Sequence, residues 1–145
     1  MITLLQRVQQ ASVRIDGEPV ARIDHGILAL VAAVRGDDAA RARRLAQRVL
    51  KYRLFADEQG RMNLNVGQVA GSVLAVPQFT LAADTNSGNR PSFSHVPAGD
   101  PACALFDTFA TSLAAGPVPV QLGRFGADMQ VALVNDGPVT FWLQN

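Results

Sequence analysis

Ile27-Leu28-Ala29-Leu30-Val31-Ala32-Ala33-Val34 is the longest unbroken apolar run in the chain, and it constrains the fold more than any other segment. Eight residues are less than half of a membrane span. The run is rich in β-branched side chains and follows a turn signal, His25-Gly26, so it reads as a strand. A strand that is apolar at every position must be covered on both faces. The fold has to supply a layer on each side of it.

The flanking sequence contains the material for those layers. Thr3–Val8 and Ala11–Asp16 alternate apolar and polar residues, with Asp16-Gly17 as a turn, and read as half-exposed strands. Asp37 or Asp38 can cap the helix that follows, in which Ala42, Leu45, Ala46 and Val49 recur at 3.6-residue spacing as a buried stripe. Gly71–Val76 is a second buried strand, expected to run on through Pro77-Gln78-Phe79-Thr80-Leu81. Residues 84–100 form a long polar loop, a type of segment that is often functional in a small domain. Pro101 opens a helix over Ala102–Ala115, with Leu105, Phe106, Phe109 and Leu113 facing inward. Val118–Leu122, Asp128–Asn135 and Val139–Leu143 alternate and are expected as three strands, with Asn135-Asp136-Gly137-Pro138 as a hairpin turn. About seven strands and two helices make an α+β fold: one sheet packed on a second, with the helices on one outer face. With 145 residues and 48% hydrophobic content, the expectation is one domain spanning 1–145.

Composition narrows the function classes. The N-terminus has no basic start and no long apolar stretch, so no signal peptide is expected. The single cysteine, Cys103, fits a reducing compartment, and the expected location is the cytoplasm, without membrane association. A net charge of +1 argues against polyanion binding by the whole surface. The distribution is uneven, however: seven of the 13 basic residues lie in positions 35–53, against two acids, Asp37 and Asp38. Arg41, Arg44, Arg48 and Lys51 share one helical face, which is either a solvated surface or a ridge that contacts phosphates. His25 and His95 have no ligand-spaced neighbours, so no metal is expected. Cys103 reads as a small buried hydrophobe, with a thiol hydrolase as the sharper alternative. Thr80 is either an ordinary strand residue or a reactive group held where a strand opens onto a loop.

Several segments together carry a resemblance that runs from end to end of the chain. They are Leu5-Gln6-Arg7-Val8 with Ala11-Ser12-Val13, Tyr52-Arg53-Leu54-Phe55 leading to Met62-Asn63-Leu64-Asn65, and Gln78-Phe79-Thr80-Leu81. Arg90-Pro91-Ser92-Phe93, Gly123–Met129 and Asn135-Asp136-Gly137-Pro138-Val139-Thr140-Phe141 complete the set. The sequence resembles the D-aminoacyl-tRNA deacylases, the D-tyrosyl-tRNA deacylase family, whose signatures are the Gln-x-Thr-Leu and Asn-x-Gly-Pro-x-Thr stretches.

The resemblance implies a homodimer of three-layer β/β/α subunits with mostly antiparallel strands. It implies hydrolysis of the ester joining a D-amino acid to the terminal adenosine of tRNA, and removal of glycine mischarged on tRNA for alanine, with no cofactor and no DNA partner. It places catalysis at Gln78, Phe79 and Thr80. Gly137 and Pro138, joined by a cis bond, would reach into the partner's site and exclude L side chains. Arg7, Met129 and Asn135 are implied at the substrate, and Arg41, Arg44, Arg48 and Lys51 are the candidate tRNA contacts. An aminoacyl ester is already activated, so oriented groups and an oxyanion donor account for most of what is needed. Main-chain N–H groups of Gln78, Phe79 and Thr80 are the expected donors. The terminal 2′-hydroxyl of the tRNA is preferred to Thr80 as the driving group, because no base lies near Thr80 in sequence. The family usually has Ser before the Gln; here Pro77 stands there. A non-catalytic tRNA- or nucleotide-binding module built on the basic helix is the alternative from another class.

Overall fold

The structure, a computed structural model, describes residues 1–97 and 99–145. The apolar run forms β3 (Gly26–Ala32), which is paired on both sides. On one side it runs antiparallel to the first half of β1 (Ile2–Ile15), with Leu5 opposite Ala29. On the other it runs parallel to β6 (Ser72–Pro77), with Ile27 opposite Val73. The start of this parallel pair needs glycine: a Cβ on Gly26 would occupy the space of the Ser72 backbone carbonyl. β6 in turn pairs in parallel with β7 (Val120–Leu122).

The second half of β1 pairs with β2 (Glu18–Ile23), and the whole of β1 pairs antiparallel with β8 (Gln130–Gln144). The alternating side chains of β3 and β6 divide between two cores, as the two-sided apolar pattern requires. Ile27, Ala29, Val31, Val73 and Ala75 pack with Leu45, Val49, Phe109 and Leu113 of the helices. Leu28, Leu74 and Val76 pack the other way, onto Val13, Ala21 and Ile23 of the folded-back β layer. The result is the expected three-layer β/β/α arrangement, α+β in class.

α1 (Ala39–Lys51) begins at Asp38, whose carboxylate accepts the Arg41 backbone N–H at 2.8 Å. That bond holds the Asp38 carboxyl below its ordinary 3.8. Asp37 is committed elsewhere: its carboxylate, buried, takes the Met1 ammonium and the Val34 N–H, each at 2.7 Å. Ala42, Leu45, Ala46 and Val49 form the buried stripe that the periodicity predicts. α2 (Asp100–Ala114) starts two residues before the predicted boundary, with proline in its first turn. The two helices provide the crossovers that the parallel pairs need. A small antiparallel pair, β4 (Phe55–Ala56) and β5 (Met62–Leu64), lies between α1 and β6.

Two sequence expectations are corrected. Phe79–Ala82 is a 3₁₀ turn, because the strand stops at Pro77, and Thr80 lies in that turn. The stretches expected as two strands joined by a hairpin are one strand, β8, and Asn135–Pro138 is an excursion inside it. Gln6 pairs with Thr140 and Val8 with Asn135, so the single residue Arg7 faces the four residues Asp136–Val139. Each flank of β8 already has β1 as its partner, so the chain bulges here without reversing.

Candidate active site

β3 and β6 run parallel and end together, and their ends open into a cavity of about 520 Å³. The carboxyl ends of parallel strands are where open α/β sheets bind ligands, and this volume suits a small organic group. Its wall includes Val76, Pro77, Gln78, Phe79, Phe125 and Met129, so three of the residues expected at the site meet there. Met129 also accepts the Arg124 N–H through its sulfur at 3.4 Å.

Pro77 is accommodated by strand geometry. The Val73 N–H points to Pro119 beside β7, whereas the Gln78 N–H donates to the Val31 carbonyl at 2.7 Å. By alternation, position 77 faces the β7 side, where pairing has ended at Ala75–Leu122. The missing proline N–H therefore breaks no ladder bond. The Gln78 bond corrects one expectation, since that amide is already engaged and is not free to bind an oxyanion. The Phe79 and Thr80 amides open the 3₁₀ turn, where helical N–H groups have no internal acceptor.

The Thr80 hydroxyl is exposed, and its hydrogen-bond partner is the Gln78 side-chain amide, which donates to Oγ1. A carboxamide is no base, so nothing in this pairing makes the hydroxyl a stronger nucleophile.

Gly137 and Pro138 stand exposed on the β8 excursion, joined by a cis peptide bond. Arg7 holds the excursion from beneath. Its Nη1 donates to the Leu54 carbonyl at 2.9 Å, and its Nε donates to the Asp136 carbonyl at 3.2 Å and lies 3.0 Å from the Asp136 carboxylate. The Asn135 amide closes the base of the loop by donating to the Arg7 and Val139 carbonyls, at 2.9 and 3.0 Å. Its carbonyl accepts the Thr140 hydroxyl at 3.2 Å. Nε and Nη1 of Arg7 and both side-chain polar atoms of Asn135 are thus engaged in shaping the excursion. The Leu54 and Asp136 contacts carry no local sequence signal, because they join residues far apart in the chain.

Gly137–Pro138 and Gln78–Thr80 lie far apart within one chain. Gln78 is level with Val31 and Thr3, and the excursion is level with Arg7, which is about four residues or ~13 Å along the strands. Between them lie three strand spacings, ~14 Å across the sheet. The cavity wall includes neither Gly137 nor Pro138.

A model of the family described as D-Tyr-tRNA(Tyr) deacylase matches residues 4–144. The chain belongs to that family. A D-aminoacyl-tRNA deacylase of Shewanella loihica is 56% identical over 144 residues, and one of Aeromonas hydrophila is 55% identical, each match covering 99% of both chains. A solved structure titled c-Myc DNA Unwinding Element Binding Protein superposes with a TM-score of 0.93 at 33% identity, covering 100% of this chain and 99% of that one. A second, of a probable eukaryotic D-amino acid tRNA deacylase, has a TM-score of 0.81 at 18% identity over 98% and 97%, and shows the same fold. The chain is therefore a hydrolase of the D-aminoacyl-tRNA deacylase type.

In this deacylase the thiol reading of Cys103 loses support. Burial pushes the thiol pKa up, and the nearby Asp107 and Asp100 carboxylates push it further, which makes the reactive thiolate scarcer. The basic helix divides by partner. Arg41 leans on Asp37 at 3.4 Å and Arg48 donates to the Gln144 carbonyl at 2.8 Å. Arg44 and Lys51 are exposed and have no acidic partner among the described residues. With Gln47, Arg48 and Tyr52 they line a shallow hollow of about 270 Å³.

The packing at Gly137 gives a direct test. Its φ is +118°, and a Cβ there would lie 2.8 Å from Arg7 Nη2 and 2.9 Å from Val139 Cγ2. Gly137→Ala should lower stability by about 1–3 kcal/mol. Because one clash is with Arg7, Gly137→Ala with Arg7→Ala should cost less than the sum of the single changes. Urea denaturation of the four proteins measures this, and strict additivity would mean that Arg7 does not buttress the excursion.

Proposed function

We propose that this single-domain chain acts as a homodimer in which each active site combines Gln78–Thr80 of one subunit with Gly137–Pro138 of the other. The observation that carries this reading is the separation of the two signatures within one chain, with both exposed. β8 adds support: it presents Trp142 and Val134, 50% and 41% exposed, and only β1 pairs with it among the described residues. An apolar edge of that length calls for cover.

In the assembled site the terminal adenosine of the tRNA occupies the cavity, beside Met129 and Phe125. The ester carbonyl lies against the Phe79 and Thr80 amides, which stabilise the negative charge that develops on its oxygen. The neighbouring 2′-hydroxyl of the tRNA assists the attacking water, and the bond between the acyl carbon and the ribose oxygen breaks. The products are the free amino acid and tRNA. The Gly137 and Pro138 carbonyls bind the substrate amino group and stand where an L side chain would project, so only hydrogen fits there. D-amino acids meet that condition, and so does glycine, which accounts for removal of glycine from mischarged tRNA for alanine. Such a substrate places the reaction in the cytoplasm, with no membrane or DNA involved.

The D-aminoacyl-tRNA should be hydrolysed and the matched L substrate left intact. Thr80→Ala should retain much of the rate, while a tRNA ending in 2′-deoxyadenosine should react far more slowly. A Thr80→Ala loss approaching the ~10⁶-fold seen for true nucleophiles would return that hydroxyl to the centre of the mechanism.

The basic helix serves the same substrate. Arg44 and Lys51, with Arg48 and Arg41 beside them, contact phosphates of the tRNA body. Replacing Arg44 and Lys51 by Gln should reduce the log–log salt slope of tRNA binding by roughly 0.7–0.9 for each phosphate that is no longer neutralised. An unchanged slope would make this face an ordinary solvated surface.

A further inference from the structure

Phe79 and Phe93 are 53% and 41% exposed, and their rings meet at a centroid distance of 5.4 Å with a 56° tilt. Isolated exposed apolar residues are common, but two aromatic rings packed together in solvent at the mouth of a cavity are not. The pair is held in place. The loop carrying Phe93 is closed by two backbone bonds between Asp84 and Ser92, at 2.8 and 3.0 Å, and is tied to the segment between β3 and α1 by Arg35 N–H donating to the His95 carbonyl at 2.8 Å. Phe79 forms part of the cavity wall and Phe93 does not, so the pair extends from the cavity outward over its rim.

We propose that Phe79 and Phe93 form a stacking platform for the base of the nucleotide that precedes the terminal adenosine. The inference rests on the reading that the adenosine occupies the cavity. A single-stranded RNA end entering there has to cross the rim, and its next base leaves the cavity beside Phe79. Proteins hold unpaired RNA bases chiefly by stacking on aromatic faces, which needs no hydrogen-bond readout. That suits a substrate class whose members share the same 3′ end. The ring of Phe79 then has a task separate from that of its amide: the amide faces the ester, and the ring with Phe93 fixes the direction in which the RNA departs.

The test compares two small substrates on the intact dimer, a D-aminoacyl ester of adenosine and the same ester of cytidylyl-(3′→5′)-adenosine. The unmodified enzyme should show kcat/KM higher by about tenfold or more on the dinucleotide, the scale of one base stacked on an aromatic side chain. Phe93→Ala should remove most of that gain through KM, while the adenosine ester changes less than about twofold. Phe93→Tyr should restore the gain. A gain unchanged in Phe93→Ala would overturn the proposal. An equal loss on both esters, with weaker dimerisation by sedimentation, would assign the rings to the subunit interface and also overturn it. If the unmodified enzyme cleaves neither ester, the adenosine reading of the cavity fails, and the platform fails with it.

Discussion

Arg7 is one residue of β1 set against four of β8, and the geometry of the proposed site depends on how that mismatch is held. Three surplus residues in a ladder would ordinarily be a mobile bulge. Here the guanidinium ties the excursion to the Leu54 carbonyl beneath it and to Asp136 within it, while Asn135 fastens its base to the Arg7 and Val139 carbonyls. Bonds to a charged donor are worth about twice a neutral one, and removing one partner from a partly buried network costs more than the bond itself. Gly137 fits because no Cβ intrudes on Arg7. The outcome is an outward corner, fastened at its base, whose tip is a glycine and a proline with no freely rotating side chain.

The other half of the proposed site depends on a different constraint, the parallel pairing of β3 with β6. It brings both strand ends to the same level, opens the cavity there and engages the Gln78 N–H, which leaves the next two amides to start a short turn. An activated ester in such a place requires no strong nucleophile from the protein. The exposed Thr80 hydroxyl, with a carboxamide as its partner, fits that modest demand.

What could be read from sequence follows the range of the interactions involved. The Ile27–Val34 run showed by itself that layers must lie on both of its sides, and the α1 stripe and its cap are encoded within one or two turns. Asn135-Asp136-Gly137-Pro138 has the composition of a turn, and locally nothing distinguishes a hairpin from a bulge. That outcome is decided by β1, more than a hundred residues earlier, which pairs with both flanks. Gln78-Phe79-Thr80-Leu81 alternates as a strand would, yet the strand stops at Pro77. The family was legible through its signatures, which also supply the candidate site residues, whereas the Arg7–Leu54 hydrogen bond and the Phe79–Phe93 pair arise only on folding.

The central claim is that the two signatures meet between subunits, and complementation tests it most directly. Phe79→Pro removes one amide at a first-turn position that tolerates proline, and Gly137→Val deforms the corner. Each variant alone should be inactive. Refolded together in equal amounts, half of the dimers should be mixed, each with one intact site, giving about a quarter of the unmodified activity. No recovery in mixtures shown to contain mixed dimers would contradict the account and place both signatures in a site within one chain.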